Sequence, residues 1–192
     1  SSAARSRRPA SGTEDLSGAE ERTTTGGGEP VAEGLEQLGF QVFRQRGAQE
    51  EAARLLQRAT ELDDDYAPAF YELGTLYQHL GQTEKAENLY QQLLQRQPEA
   101  TQVRYALALL YYQQGKDREA VPHLQRILAN EPDHVDALNL AGAVYMRLNN
   151  PAKAKELYQR VLDLEPDHAP AHYNLGVLFR QEGDLSQASE LL

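Results

Sequence analysis

The sequence predicts an all-α fold in which antiparallel pairs of helices stack side by side into a solenoid. Three observations lead to this prediction: residue types recur every 34 residues, small and aromatic residues keep fixed places in that period, and glycine or proline marks the predicted turns. The recurring places are a small residue (Gly74, Ala108, Gly142, Gly176), an aromatic residue (Tyr77, Tyr111, Tyr145, Phe179) and an alanine (Ala52, Ala86, Ala120, Ala154, Ala188).

The period divides the chain into a tail and five units. Residues 1–30 are rich in Ser, Thr, Gly, Glu and Arg and hold one large apolar residue, Leu16, so this segment cannot bury enough surface to offset its ordering entropy. We therefore predict a flexible tether over 1–32. The predicted units are a weaker copy at 33–66, full copies at 67–100, 101–134 and 135–168, and a cut-off copy at 169–192.

Each unit reads as helix A, a turn and helix B. A left-handed residue is needed just past helix A, and the sequence offers glycine or asparagine there. Asn150 is predicted to cap helix B of the fourth unit, while Pro68 and Pro170 open A helices, where a missing N–H costs little. Pro122 lies about one turn inside a B helix, which predicts a kink or a late helix start. The predicted left-handed positions are Gly47, Gly81, Gly115, Asn149 and Gly183.

The small residues predict where helix A and helix B of one unit cross, because small side chains let two helix backbones approach closely. Larger residues at the other recurring places then fill the seams between units. We predict that the following side chains are buried: Tyr77, Tyr90, Leu93, Tyr111, Leu124, Ile127, Tyr145, Tyr158, Val161 and Phe179.

The order Leu73-Gly74, Tyr77, Ala86 and Pro98 resembles the pattern of the tetratricopeptide repeat family, and the resemblance runs from residue 33 to the end of the sequence. It implies a right-handed superhelix of helix pairs, with the A helices on the concave face. The sequence departs from the pattern at Gly39-Phe40, where Leu-Gly is expected, at Asp64, where Pro is expected, and at Arg104, where an apolar residue is expected.

The resemblance also implies which side chains face the concave groove. Several are apolar or aromatic although the seams do not need them, which is typical of a surface that binds a partner. The arginines either pair with an acidic partner or neutralise acidic neighbours in the chain. The implied partner-binding residues are Arg44, Tyr71, Thr75, Gln78, His79, Tyr105, Leu109, Tyr112, Asn139, Leu140, Met146, Arg147, Tyr173, Asn174, Val177 and Arg180.

Composition narrows the classes of partner. A net charge of −10 disfavours nucleic acid, whose phosphates bind basic surfaces. The sequence contains no run of about 18 apolar residues, so it does not predict a membrane-spanning helix. The absence of cysteine excludes disulfides and thiolate zinc sites. The sequence does not decide between a cytoplasmic and a periplasmic location. Attachment to a membrane through a missing N-terminal segment is a further alternative.

Neither a cofactor, a metal nor a catalytic site is predicted. We find no phosphate-binding glycine loop and no nucleophile grouped with a base. His134 and His168 occupy the same place at a turn, which favours a structural use over metal binding. The acidic turn Asp63–Asp65 is interpreted as a helix N-cap rather than a calcium site.

Three hypotheses for function follow. The first is a non-catalytic scaffold that binds a peptide or helix of another protein in the concave groove. The second is the substrate-recruiting arm of a larger transferase, because the sequence stops inside helix B of the last unit and we expect the natural protein to continue. The third is self-assembly, in which the C-terminal helix or the N-terminal tail docks on another copy of the chain.

Overall fold

A computed structural model of the chain describes residues 28–44 and 48–191, and these ranges contain ten helices and no strand. The predicted all-α solenoid is confirmed. No helix in this part of the chain is long and apolar enough to cross a membrane. The helices are α1 (Gly28–Phe43), α2 (Gln49–Leu62), α3 (Ala67–His79), α4 (Thr83–Arg96), α5 (Thr101–Gln113), α6 (Asp117–Asn130), α7 (Val135–Arg147), α8 (Pro151–Leu164), α9 (Ala169–Glu182) and α10 (Leu185–Leu191).

The order of contacts defines two walls. Each odd-numbered helix packs against the even-numbered helix that follows it and against the next odd-numbered helix. Between the even-numbered helices, the described residues make no comparable contact. The odd-numbered helices therefore lie closer together than the even-numbered ones. We call α1, α3, α5, α7 and α9 the inner wall, and α2, α4, α6, α8 and α10 the outer wall.

The two walls cross at the predicted small residues. A β-carbon added to Gly74 would lie 2.1 Å from Cε1 of Tyr90, and one added to Gly142 would lie 2.6 Å from Cε1 of Tyr158. Contacts this short do not occur, so in these two units an aromatic ring occupies the space that a side chain on the inner helix would need. The third unit has Ala108 and Leu124 at the same two places. A larger inner residue thus accompanies a smaller outer one.

The turns follow the predicted chemistry. Gly81, Gly115 and Gly183 have φ angles of 70°, 76° and 84°, and Asn149 replaces glycine with a φ of 58°. Asn150 caps α8 as predicted, because its Oδ1 accepts a hydrogen bond from Lys153 N at 3.1 Å. Gly47 lies outside the described residues, so its predicted conformation stays a prediction.

A glutamine on each of the outer helices α2, α4 and α6 links one unit to the next. Nε2 of Gln57 donates to the Tyr77 hydroxyl at 2.7 Å, and Nε2 of Gln91 donates to the Tyr111 hydroxyl at 2.8 Å. Where the fifth unit has Phe179 and no hydroxyl, the corresponding Gln159 bonds to Asp163 of its own helix instead. These bonds fix the register between consecutive helix pairs.

Nine of the ten side chains predicted to be buried are buried. Tyr145 is the exception, since it is only half-buried. The prediction for Tyr145 was wrong because a recess on the outer wall, described below, opens beside its ring.

The first unit starts earlier than predicted. Helix α1 begins at Gly28, so the predicted tether over 1–32 was wrong at its C-terminal end. Ala32 is fully buried and packs with Leu35 and Ala59, which explains why these residues join the helix. Residues 1–27 lie outside the described part of the chain, and the rest of the predicted tether stays a prediction.

Of the two effects predicted for Pro122, the late start of α6 does not occur, because the helix begins at Asp117 and continues through Pro122, and the kink stays a prediction. The prediction for the acidic turn Asp63–Asp65 was wrong. The acidic turn provides no side-chain cap for α3, whose N-cap residue is Tyr66. Instead, Oδ1 of Asp63 accepts a hydrogen bond from Asp65 N at 3.0 Å and so stabilises the turn after α2.

Candidate binding surface on the inner wall

Aromatic and aliphatic side chains from three consecutive inner helices remain partly exposed. None of them is enclosed by the seams, although each packs at its base against the core. Because they come from adjacent helices in direct contact, they form one continuous surface. We call this surface the inner strip, and it consists of Tyr71, Tyr105, Leu109, Tyr112 and Met146.

Tyrosines at one place in the repeat show how the strip is supported. The Tyr105 ring stacks on the ring of His134 from the next turn, with centroids 5.9 Å apart and planes inclined by 20°. Burial raises the pKa of the Tyr105 phenol, and nearby Asp136 raises it further. Tyr173 stands at the same place in the last unit and is 61% exposed, because no further helix pair follows it among the described residues.

Thr75 and Gln78 are half-buried, and both make hydrogen bonds within the chain. Nε2 of Gln78 donates to the Tyr90 hydroxyl at 2.9 Å, and the Thr75 hydroxyl donates to the Tyr71 carbonyl at 2.9 Å. Burial raises the pKa of Tyr90 to about 12, so its hydroxyl stays protonated near neutral pH. The bond from Gln78 joins α3 to α4 at their crossing, whereas the bond from Thr75 stays within α3.

Arg147 is engaged within the chain. Its guanidinium lies 4.4 Å from the centre of the Tyr112 ring, and its Nη1 donates to the Tyr112 carbonyl at 2.8 Å. Its Nε lies 3.1 Å from Oδ2 of Asp117. Of the two interpretations of the arginines, neutralisation of an acidic neighbour therefore holds for Arg147, which also orients Tyr112 in the inner strip.

The predicted exposure of Leu140 was wrong. This side chain is 5% exposed, and Ala106 at the same place in the third unit is 6% exposed. The reason is that inner helices pack directly on one another, so this place faces a neighbouring helix. Asn139 beside it is half-buried, and its Oδ1 is buried without a hydrogen-bond partner among the described residues.

The remaining predicted residues lie toward the two ends of the inner wall. Arg44 is exposed at the end of α1, and the exposed His79 ring lies 5.6 Å from the Phe43 ring. Arg180 is exposed on α9 and forms no salt bridge with any residue that the structure describes. Asn174 and Val177, also on α9, are half-buried.

The histidines at the repeated turn have the structural use that was predicted. Nδ1 of His134 accepts a hydrogen bond from Ala137 N at 3.3 Å, and Nδ1 of His168 accepts one from Ala171 N at 3.1 Å. Both rings therefore cap inner helices. Within residues 28–44 and 48–191, no cluster of three or more His, Asp or Glu side chains has the arrangement of a metal site.

Sequence reasoning missed a recess on the outer wall. It has a volume of about 340 Å³, lies between α6 and α8, and has Tyr145 in its wall. The sequence did contain a signal for this recess. The apolar Leu138 stands where the neighbouring units have Arg104 and His172. In the same way, the apolar Val121 stands where the neighbouring units have Glu87 and Lys155. The mostly apolar lining of the recess includes Val121, Leu124, Leu128, Leu138, Val144, Tyr145 and Leu157.

Comparison with protein families decides the classification. A tetratricopeptide repeat model matches residues 71–134, 105–150 and 139–192, and a second TPR repeat model matches residues 41–81. Together these matches cover most of the chain. The chain belongs to the tetratricopeptide repeat family. The resemblance inferred from the 34-residue period is thereby confirmed.

Solved structures share the fold of this tetratricopeptide repeat protein. MamA of Desulfovibrio magneticus RS-1, from residue 41 to its end, superposes with a TM-score of 0.73 at 24% identity, over 83% of this chain and 90% of that one. PilF of Pseudomonas aeruginosa gives a TM-score of 0.76 at 22% identity, over 85% of this chain and 74% of that one. No curated protein sequence matches the chain.

A third similar structure is YrrB, described as a TPR protein with an unusual peptide-binding site. It superposes with a TM-score of 0.69 at 22% identity, over 93% of this chain and 89% of that one. At this level of identity the likeness supports the fold alone. The chain is thus a repeat scaffold of a family whose members bind other proteins.

Proposed function

We propose that this tetratricopeptide repeat protein is a non-catalytic scaffold that binds a peptide or helix of a partner protein along its inner wall. The observation that carries the proposal is the inner strip, a row of partly exposed aromatic and aliphatic side chains that spans three consecutive repeats. Tyrosine and methionine suit this use, because tyrosine offers a large rigid contact area and methionine adapts to the shape of a partner.

Pre-organisation supports the same proposal. Tyr105 is stacked on His134, and Tyr112 is held by the guanidinium of Arg147. Side chains that are already ordered lose less conformational entropy when a partner binds. The occupant that fits is a segment with two or three aliphatic or aromatic anchors, in an extended or helical conformation.

The charged residues at the two ends of the inner wall favour one orientation of the bound segment. Glu72 and Glu36 lie near the N-terminal end of the inner wall, and burial together with their mutual repulsion raises the pKa of Glu72. Arg180 lies near the other end of the wall. A partner segment with its acidic side toward α9 and its basic side toward α1 would complement both ends.

The test begins with a random peptide library selected on the wild-type chain. The affinity of an enriched peptide is then measured for an inner variant carrying Tyr105→Ala, Tyr112→Ala and Tyr173→Ala. We expect a loss of at least about tenfold, because aromatic anchors dominate binding at such surfaces. Circular dichroism should give the same helical content as for the wild type.

A matched control variant carries Leu128→Ala, Tyr145→Ala and Leu164→Ala on the outer wall. All three side chains are at least partly exposed, as in the inner variant. The control should keep the affinity of the wild type. Unchanged binding by a folded inner variant, or loss of binding by the outer variant alone, would contradict the proposal.

A second candidate is self-assembly through the last helix pair. Tyr173 is 61% exposed on α9 and Leu185 is 67% exposed on α10, so this end of the stack presents large apolar side chains to solvent. Light scattering over a range of concentrations tests this candidate. A mass that stays that of the monomer would reject it, and the concave-groove proposal would be unaffected.

A further inference from the structure

The outer wall has a recess at the same place in three successive repeats. Each recess lies between two neighbouring outer helices, with residues of one inner helix at its base. The recess between α6 and α8 has Leu138 at this base, whereas Arg104 and His172 take the same place in the recesses before and after it. One repeated cavity therefore occurs with three different chemical environments.

The recess between α4 and α6 combines charge with apolar surface, and we call it the Arg104 recess. Its volume is about 280 Å³. Two leucines supply aliphatic surface, a guanidinium and an imidazole supply nitrogen atoms, and two glutamines complete the lining. A ligand that matches this lining has an apolar part and a group that accepts hydrogen bonds. The lining residues are Gln91, Leu94, Gln95, Arg104, Leu107 and His123.

Arg104 is a half-buried cation without a salt bridge to any residue that the structure describes. Its Nη2 donates to the carbonyl of Pro98, which leaves most of the five N–H donors of the guanidinium without a partner in the described part of the chain. Glu99 lies nearby, but its carboxylate accepts hydrogen bonds from Arg126 and Asn130. The guanidinium of Arg104 therefore has donors to spare for an anion.

His123 offers a second donor to the same recess. Its Nδ1 is buried without a hydrogen-bond partner among the described residues, whereas its Nε2 is not enclosed in this way. Because a buried N–H without an acceptor is rarer than a buried lone pair without a donor, the ring proton is favoured on Nε2. Burial, and to a smaller degree nearby Arg104, lowers the pKa of His123, so the ring is neutral near neutral pH. A neutral imidazole with its proton on Nε2 donates one hydrogen bond.

We propose that the Arg104 recess binds a carboxylate carried on a short aliphatic chain. The guanidinium fork of Arg104 matches the two oxygens of a carboxylate, and His123 Nε2–H adds a hydrogen bond. Leu94 and Leu107 contact the aliphatic chain, which inorganic phosphate lacks. The site lies on the outer wall, so it goes beyond the proposed function and does not depend on binding at the inner strip.

The other two recesses explain why the proposal is restricted to one of them. Leu138 and Leu157 take the places of Arg104 and His123 in the recess between α6 and α8, which leaves no donor at its base. In the recess between α8 and α10, Nε2 of His172 lies 2.6 Å from a carbonyl oxygen of the preceding turn and is already engaged. We therefore expect carboxylate binding only where Arg104 stands.

The test is an NMR titration of the isotope-labelled chain near neutral pH with three probes, sodium butyrate, 1-butanol and inorganic phosphate. Butyrate should give saturable shifts at Leu94, Leu107 and His123. Butanol lacks the carboxylate and phosphate lacks the aliphatic chain, so each should bind at least about fivefold more weakly than butyrate. The absence of saturable shifts with butyrate would overturn the proposal, and so would tighter binding of either of the other two probes.

Variants decide whether Arg104 carries the binding. Arg104→Leu reproduces the base of the next recess, where Leu138 is accommodated, and Arg104→Gln keeps a polar side chain. Both should weaken butyrate binding at least about tenfold, because hydrogen bonds to a charged group are lost. Circular dichroism should show the helical content of the wild type. His123→Leu, which copies Leu157, should give a smaller loss of about threefold.

Arg160→Gln is the matched control. It removes one positive charge from the exposed surface of the outer wall, where Arg160 donates to Oδ1 of Asp133 at 2.8 Å. Its affinity for butyrate should equal that of the wild type. Wild-type affinity in folded Arg104→Leu or Arg104→Gln, or an equal loss in Arg160→Gln, would overturn the proposal.

Discussion

The inner and outer walls are built from the same five helix pairs, yet they present different surfaces. Inner helices contact one another, so their partly exposed side chains join into a strip that runs across several repeats. Outer helices are separated, so the apolar surface between α6 and α8 is confined to a single recess. A long partner segment can follow the inner strip, whereas the recess accommodates only one or two side chains.

The difference arises at the crossing of the two walls. In the second and fourth repeats a tyrosine ring from the outer helix lies against a glycine of the inner helix. The ring fills the space that the missing side chain leaves, so the inner and outer helices of one repeat pack closely around it. The geometry of the strip therefore depends on pairs of residues that are not part of it.

The largest effect is expected when this pairing is broken. Gly142→Ala places a β-carbon 2.6 Å from the Tyr158 ring, and such overpacking should cost about 1–3 kcal/mol in the free energy of unfolding. Combining it with Tyr158→Leu reproduces the Ala108 and Leu124 pair of the third repeat. The double variant should lose less than the sum of the single losses, by about 0.5–3 kcal/mol, as measured by urea denaturation.

Gly34→Ala is the control for this cycle. It lies inside α1, where an added β-carbon meets no atom within 4 Å, so alanine should stabilise the helix by up to about 1 kcal/mol. Additive losses at Gly142 and Tyr158 would show that the two residues do not share one space, and the explanation of the walls would then fail.

A smaller effect is expected at the outer recess. At the place of Tyr145 in the repeat, the aromatic rings of Tyr77, Tyr111 and Phe179 each have a lysine above them, and the ammonium of Lys155 lies 4.1 Å from the centre of the Phe179 ring. Among the described residues, no lysine lies over the Tyr145 ring in this way. Val121 occupies the place of Lys155 one repeat earlier. Val121→Lys should therefore cover Tyr145 and stabilise the chain by about 0.5–1 kcal/mol.

The reverse change, Lys155→Val, uncovers Phe179 and breaks the ion pair with Glu182 at 2.9 Å. It should cost a similar amount in thermal denaturation. If Val121→Lys destabilises the chain by more than it was expected to gain, the recess is not simply an uncovered seam. Peptide binding on the inner wall should be unchanged in both variants.

The period of the sequence was sufficient to predict the helices, the left-handed turns and the crossings, because each depends on residues within one repeat. Gly183 and Asn149 show this most clearly, since each takes the positive φ that its place demanded. The start of α1 was missed because Ala32 is buried by Ala59 and Ala69, which come from later helices.

The candidate site was less predictable because it depends on contacts between repeats. Leu140 and Tyr173 both occupy groove places in the family pattern, yet one is buried by a neighbouring helix and the other stands free at the end of the stack. Arg147 is held within the chain by Asp117 and Tyr112, which come from the preceding repeat. Such pairings appear only when the packing of one repeat on the next is known.

One measurement tests binding on the inner wall most directly: an NMR titration of the labelled chain with a peptide selected on it. The account predicts that the largest amide shifts fall on α5 and α7 around Tyr105, Leu109 and Met146, while those around Val121 and Leu128 on the outer wall stay unchanged. Shifts concentrated around Val121 and Leu128, with the inner helices unaffected, would contradict it.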